Sequence, residues 1–202
     1  MKRKYFIIGF LSGFLFLVIT LVIVFFVFKS QGEKSVKEFI ENSDVSKVEM
    51  EAYPLTQESL DSLAFYELNS SVPYFITKDS NSYTFINYWA TWCIPCVSEL
   101  PEFKSLIEHN RQFDDIKFIF ASQEKVEKIE NFIKSKNIAL PYYSYRKEEL
   151  PLFIDHTTIP TSYFIDEENL IMYKFSGIRK WNNDFYQKLL SNLKQGDDFT
   201  IR

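Results

Sequence analysis

Cys93 and Cys96 are the only cysteines among 202 residues, and they stand two residues apart in Asn87-Tyr88-Trp89-Ala90-Thr91-Trp92-Cys93-Ile94-Pro95-Cys96. The run places them where an apolar strand gives way to a predicted helix. A thiol attacks only as the thiolate, and a cysteine in the first turn of a helix meets unpaired backbone N–H groups and the positive end of the dipole, which stabilise that anion. Cys93 is therefore the expected nucleophile. Cys96, one turn deeper, is placed to break the mixed disulfide that Cys93 forms and so to release a partner. Two other readings of the pair are weaker. A structural staple closing four residues contributes only about 2 kcal/mol in the loop-entropy relation, less than a longer ring would. A zinc site needs three or four ligands, and His109 and His156, the two histidines, have no ligand spacing to the pair. No metal is expected.

The first thirty residues obey different rules from the rest. No residue from Tyr5 to Phe28 is charged, and about 20 apolar residues suffice to cross a hydrocarbon core. The stretch reads as a membrane span. Lys2, Arg3 and Lys4 ahead of it favour a cytoplasmic N-terminus, which puts everything after Lys29 on the far side. A cleaved signal peptide is the competing reading, with Ser30-Gln31-Gly32 as its site, but the apolar stretch exceeds the roughly 7 to 15 residues of a signal core. With no cysteine nearby, a lipid-modified N-terminus is excluded.

Setting the anchor apart changes the composition that a fold must use. Phe6, Phe10, Phe14, Phe16, Phe25, Phe26 and Phe28 belong to the membrane, yet 21 Phe in all leave the remainder rich in aromatics. The net charge is −4, and without the three basic residues ahead of the span it falls to −7. Nucleic acid is an unsuitable partner for such a surface. One globular domain of ordinary size is expected, large enough to fold without disulfide staples.

Three segments follow from the pattern: an N-terminal tip and anchor (1–29), a polar stalk (30–46), and a globular domain (47–202) with an atypical extension at 47–82 and a core at 83–195. In the extension, Val48 to Tyr53 alternates weakly, Thr56 is a candidate cap for a short helix carrying Leu60, Leu63 and Ala64, and Val72 to Ile76 is an apolar island. From Tyr83 the elements alternate. Tyr83 to Trp89 reads as a central parallel strand, apolar on both faces except at Thr84 and Asn87. Val97, Leu100, Phe103, Leu106 and Ile107 share a helical face. Ile116 to Ala121 is a second buried strand, and Ser122 is the expected cap of a helix with Val126, Ile129, Phe132 and Ile133 inward. Thr161 to Ile165 and Ile171 to Phe175, joined by a turn at Asp166 to Asn169, form an antiparallel hairpin. A last helix carries Phe185, Leu189, Leu190 and Leu193.

This α/β order, a mixed central sheet flanked by helices with a redox pair after its first central strand, resembles the thioredoxin fold. More narrowly, Trp92-Cys93-Ile94-Pro95-Cys96, the following Glu99-Leu100-Pro101 and the distant Thr158-Ile159-Pro160-Thr161 resemble the membrane-anchored TlpA and ResA type of thioredoxin-like oxidoreductase, from about Tyr83 to Leu193. The hairpin such proteins usually carry ahead of the active strand is not apparent in residues 45–82. The resemblance implies a cis Pro160 beside the cysteines, leaving the Ile159 backbone open to an extended client segment that adds as a short strand. It also implies a proton-handling role for Glu99, three residues after Cys96 on the same helical face. That case is strengthened by Asn87, an amide where thioredoxin has a buried acid. Burial near thiols raises the pKa of such a carboxyl, and its charge in turn disfavours the thiolate. A solvated first-turn Glu is the plainer alternative.

Among the remaining residues, Pro95 lies in the first turn, where its missing N–H forfeits little, and with Ile94 forms the dipeptide that tunes the redox pair. Pro101 inside the helix is expected to kink it. Trp92 is expected to pack against the disulfide and contact clients, Trp89 to sit in the core, His156 to be a solvated loop residue, and His109 to complement a helix C-terminus. The reading that results is a membrane-tethered thiol–disulfide oxidoreductase of the bacterial cytoplasmic membrane, with its domain on the periplasmic or extracytoplasmic side. It takes electrons from a membrane donor and reduces cysteine pairs of exported proteins, cytochrome c maturation being one use in the resembled family, and it needs no bound cofactor. Two alternatives stand beside it: an oxidant of exported thiols, and a non-enzymatic binding or metallochaperone module holding a soft ion.

Overall fold

Tyr83 to Tyr88 is buried along its whole length, as a strand covered on both faces must be, and it is the centre of the globular unit. The computed structural model describes residues 16–31, 34, 52–54, 63–76, 83–109, 116–150, 154, 157–165 and 171–193. The chain divides into two units, Met1–Ser43 and Asp44–Arg202.

In the first unit residues 16–31 are helical (α1), with large apolar side chains exposed, among them Phe16 at 70% and Phe28 at 71%. Among the described residues no helix is long and apolar enough to cross a membrane. The first fifteen residues, which include the start of the expected span, lie outside the described residues, as does most of the stalk.

The second unit is one sheet of eight strands, β1 (Ala52–Pro54), β2 (Ala64–Glu67), β3 (Pro73–Phe75), β4 (Tyr83–Tyr88), β5 (Ile116–Ser122), β6 (Tyr142–Ser144), β7 (Thr161–Ile165) and β8 (Ile171–Ser176). Their order across the sheet is β1-β8-β7-β4-β5-β6-β2-β3. β4 pairs in parallel with β5, Ile86 opposite Ile119, and antiparallel with β7, Tyr88 opposite Thr161. β7 and β8 form the expected antiparallel hairpin, while its turn lies outside the described residues. Among the described residues the unit also has three α-helices, α2 (Ile94–His109), α3 (Val126–Lys136) and α4 (Asp184–Leu193).

Strand alternation gives β4 two different faces. Tyr83 and Phe85 join a core with Leu100, Phe103, Ile129 and Tyr186 from the helices, whereas Ile86 and Tyr88 join Leu63, Phe65, Ile119 and Tyr163. The first core is built on aromatic contacts: Trp181 meets Phe85 edge-on at 5.1 Å and stacks on Phe103 at 4.9 Å between ring centroids. Trp89 belongs to this core, 2% exposed against Phe132 and Tyr142.

Two expectations are corrected. Ala64 is not helical; it begins a strand, and β2 and β3 form the hairpin that the sequence did not reveal, Phe65 opposite Tyr74. The reason is tertiary, since Tyr66 and Glu67 also pair with Ser144 and Tyr143 of β6, and this distant edge overrides a weak helical spacing. Thr56 and Leu60 lie outside the described residues. Ser122 does not cap α3: it is still in β5, paired with Ser144, and its Oγ accepts the Glu124 N–H at 3.2 Å. The helix starts at Val126, preceded by Lys125 with no side-chain cap. α2 runs on through Pro101.

Because Phe65 is fully buried while Phe75, on the edge strand, is 39% exposed, the two should respond differently to truncation. Phe65→Ala should cost about 3–5 kcal/mol, the usual loss for a buried aromatic, and Phe75→Ala under about 1.5 kcal/mol, as read by urea denaturation. Equal losses would mean that the hairpin is not part of the cooperative unit.

Candidate functional site

β4 leads through Trp89 and Ala90 into a short turn, closed by the Cys93 N–H on the Ala90 carbonyl at 3.1 Å. Cys93 immediately precedes the helix, and Cys96 lies in its first turn. The two are joined as a disulfide, with Cα atoms 5.3 Å apart. Cys93 Sγ also accepts the backbone N–H of Cys96 at 3.2 Å. A donor so placed favours a thiolate on that sulfur. Cys93 is 4% and Cys96 1% exposed.

The register Tyr88 opposite Thr161 brings the start of β7 beside the cysteine turn. Ile159-Pro160 is cis, Pro160 is buried, and the Ile159 carbonyl oxygen stands 3.9 Å from Cys93 Sγ. On the other side of Pro160, its carbonyl accepts the Gly177 N–H at 2.8 Å. Gly177 has φ +77°, a left-handed conformation glycine adopts without penalty, and it ends β8 with the chain turning back toward α2.

Glu99 is 2% exposed, so it is not the solvated helix residue of the plainer alternative. Its Oε1 accepts the Arg179 backbone N–H and the Trp181 Nε1–H, the latter at 3.1 Å. Its Oε2 is buried with no hydrogen-bond partner. Burial holds this carboxyl well above its ordinary value, opposed by the two donors and reinforced by the charge of Glu102. Glu102, one turn on, is also raised by burial, against the backbone N–H groups of Trp181 and Asn182 that it accepts. Asn87 is buried and donates to Ser162 Oγ at 2.9 Å, so the strand position next to the site is a neutral pair.

Trp92, expected against the disulfide, is 64% exposed, and Ile94 is 63% exposed. Trp92 lines an open groove of about 650 Å³ with Glu124, Lys125, Lys128 and Asn131. The turn itself is held by Glu124, which accepts the Thr91 N–H at 2.6 Å and hydroxyl at 3.0 Å and pairs with Lys128. Burial would raise the Glu124 carboxyl, but Lys128 and the two Thr91 donors outweigh it and hold it below its ordinary value. Pro95 is half-buried, its carbonyl accepting the Ser98 hydroxyl at 2.6 Å. His156 and the His109 side chain lie outside the described residues. No metal-binding cluster occurs among the described residues.

The structure therefore brings together Cys93, Cys96 and Glu99 with Ile159 and Pro160, from two distant parts of the chain. Sequence reasoning missed Thr91, Glu124, Arg179 and Trp181. Glu102 had a readable signal, the Glu-x-x-Glu spacing on one helical face, but Trp181 is 82 residues from the carboxylate it contacts and had none.

This sheet has the architecture of known structures. A thiol:disulfide interchange protein of the thioredoxin family from Chlorobium tepidum TLS superposes with a TM-score of 0.53 at 24% identity, over 71% of this chain and 99% of that one. The fold is thioredoxin-like. A model of the AhpC/TSA family matches residues 75–174. Sporulation thiol-disulfide oxidoreductase A of Bacillus subtilis is 32% identical over 92 residues, which is 44% of this chain and 55% of that protein. Thiol-disulfide oxidoreductase ResA of the same organism is 25% identical over 120 residues, 54% of this chain and 66% of that protein. The matched stretch thus spans between about half and two thirds of the length of these curated relatives.

A carboxyl whose pKa is raised on folding gives a definite pH signature. Above the ordinary value of 4.5 the folded protein holds a proton that the unfolded chain has lost, so this group's contribution to stability falls as pH rises through the folded pKa. Glu99→Gln removes that fall. The difference in denaturation midpoint, variant minus wild type, should be smallest near pH 4 and grow toward pH 8; a constant difference would contradict the buried, raised carboxyl.

Proposed function

We propose that this chain is a thiol–disulfide oxidoreductase that reduces disulfides of exported proteins. The observation that carries the reading is the joint placement of the Cys93–Cys96 pair, the Ile159 carbonyl against Cys93 Sγ and the buried Glu99 one turn beyond Cys96. Names of partial relatives, thiol-disulfide oxidoreductases among them, support the same chemistry.

Cys93 attacks a client disulfide and forms a mixed disulfide while one client sulfur leaves as thiolate. The exposed Trp92 and Ile94 side chains and the Ile159 backbone receive the client segment. Glu99 takes the Cys96 thiol proton, Cys96 attacks Cys93 Sγ, and the second client sulfur is released. A strong oxidant owes its potential to a stabilised reduced form, and a Glu99 carboxylate, once ionised, opposes a thiolate beside it; the reductive direction is proposed on that ground. Residues 5–28 tether the protein to the bacterial cytoplasmic membrane with the domain outside the cytoplasm, where a membrane donor re-reduces the pair. Apocytochrome c is one client class consistent with this placement.

Four measurements test the proposal. Cys93→Ser should abolish disulfide reduction. Cys96→Ser should accumulate clients as thiol-reversible adducts that vanish when Cys93 is also replaced, and mass spectrometry of those adducts names the clients; absence of adducts in cells removes the reductase reading. The reduction potential should lie nearer the about −270 mV of thioredoxin than the about −120 mV of DsbA, and a value near the latter would favour the oxidant. A topology reporter fused after Arg202 should be active only outside the cytoplasm; activity inside, or a soluble mature form starting near Gln31, removes the tether.

A further inference from the structure

We infer that Trp181 is a positioning residue for proton transfer at Glu99: its indole N–H and the Arg179 backbone N–H occupy Oε1, leaving Oε2 as the oxygen that exchanges the proton. The inference deepens the proposed function and rests on its reading of Glu99 as the acceptor of the Cys96 proton.

The geometry separates the two carboxyl oxygens. Oε1 has two donors, Trp181 Nε1 at 3.1 Å and Arg179 N, and Oε2 is buried with none. An ionised carboxylate in an apolar core is stable only while it is hydrogen-bonded, so these two donors set both its orientation and how readily it ionises. Trp181 is itself immobilised. It is 1% exposed, stacked on Phe103 at 4.9 Å and packed against Phe85, Phe175 and Tyr186. Both donors belong to the segment that starts at Gly177, whose N–H holds the Pro160 carbonyl. One short stretch of chain therefore fixes the cis-proline loop on one side of the site and the acid on the other.

Among the described residues, the charged and titratable groups around Glu99 are few. Cys96 and Glu102 share its helix, Arg179 faces it from the connecting segment, and Tyr186 faces it from α4. Glu102 disfavours the Glu99 charge, and Arg179 favours it. Trp181 is the side chain whose contribution is a hydrogen bond alone, and removing that bond should raise the Glu99 pKa without altering any formal charge.

In the resolving step, the Cys96 S–H proton passes to Glu99 Oε2, the Cys96 sulfur attacks Cys93 Sγ, the bond from Cys93 to the client breaks, and the client leaves as thiolate. The rate of this step rises with pH through the Glu99 pKa. Stopped-flow reaction of the reduced full-length chain with 5,5′-dithiobis(2-nitrobenzoate) separates attack from resolution, because each releases one coloured thiolate. In Trp181→Phe, which keeps the ring but not the donor, the midpoint of the second phase should move up by about one pH unit, the effect of losing one hydrogen bond to a charged group. Below the midpoint that phase should be about tenfold slower, and above it equal to wild type. Glu99→Gln should lose the midpoint, and the double variant should match Glu99→Gln.

If Trp181→Phe keeps the wild-type midpoint while Glu99→Gln loses it, the role of Trp181 is overturned and that of Glu99 stands. If Glu99→Gln keeps the midpoint, the reading of Glu99 itself fails. Should Trp181→Phe not fold, the unaltered protein decides. One indole ¹H–¹⁵N resonance should titrate with the second-phase midpoint and cease to do so in Glu99→Gln; no such resonance overturns the inference.

Discussion

The antiparallel pairing of β4 with β7 is the constraint on which the site depends. Because the strands run in opposite directions, the end of one lies beside the beginning of the other, and Tyr88 opposite Thr161 sets the cysteine turn against the cis-proline loop. A slip of one residue would reverse which side chains of β4 meet each core. Both faces of that strand are buried, Phe85 in one aromatic cluster and Ile86 and Tyr88 in the other, so the slip is opposed over its whole length. The 3.9 Å approach of the Ile159 carbonyl to Cys93 Sγ is a consequence of sheet register, with the local turn chemistry supplying the final placement.

Electrostatically the site is built from buried or half-buried carboxyls and the donors that meet them. Asn87 and Ser162 make the strand position neutral, and the buried acid stands on α2 as Glu99. Its burial would be costly for an unsupported carboxylate, and the chain supplies support from the segment between β8 and α4, where Arg179 and Trp181 serve Glu99 and the backbone of Trp181 and Asn182 serves Glu102. The two glutamates of one helical face therefore act as the dock for that segment. A second acid, Glu124, holds the opposite side of the turn through Thr91 and is itself balanced by Lys128. Of these carboxylates Glu124 braces the cysteine turn and is kept below its ordinary pKa chiefly by Lys128 and Thr91, whereas Glu99 braces the segment before α4 and is raised by burial.

Local chemistry was legible wherever it depended on neighbours in the chain. The spacing of Cys93 and Cys96, the uncharged run from Tyr5 to Phe28, and the apolar period of β4, α2, β5 and α4 are statements about residues a few positions apart, and strand or helix geometry converts them directly into a face or a turn. The pairing of Cys93 with a helix start could be read the same way. The errors came where local preference is weak. Leu60, Leu63 and Ala64 have helical spacing, yet Ala64 to Glu67 is a strand because β6 offers Tyr143 and Ser144 as an edge. Ser122 has the chemistry of a cap, but its place in the β5 ladder delays the helix by three residues.

By itself the sequence determined the cysteine pair and its spacing, the α/β class and the apolar N-terminal stretch, because each follows from residue type and short-range period. Only tertiary structure decided the environment in which that chemistry runs. Whether Glu99 is solvated or buried, and which groups meet its two oxygens, depends on a segment 80 residues away. The exposure of Trp92 and the presence of the β2–β3 hairpin depend likewise on contacts that no local pattern encodes. Desolvation and hydrogen bonding are properties of a place in the fold, so the pKa of a carboxyl is set when distant parts of the chain close over it.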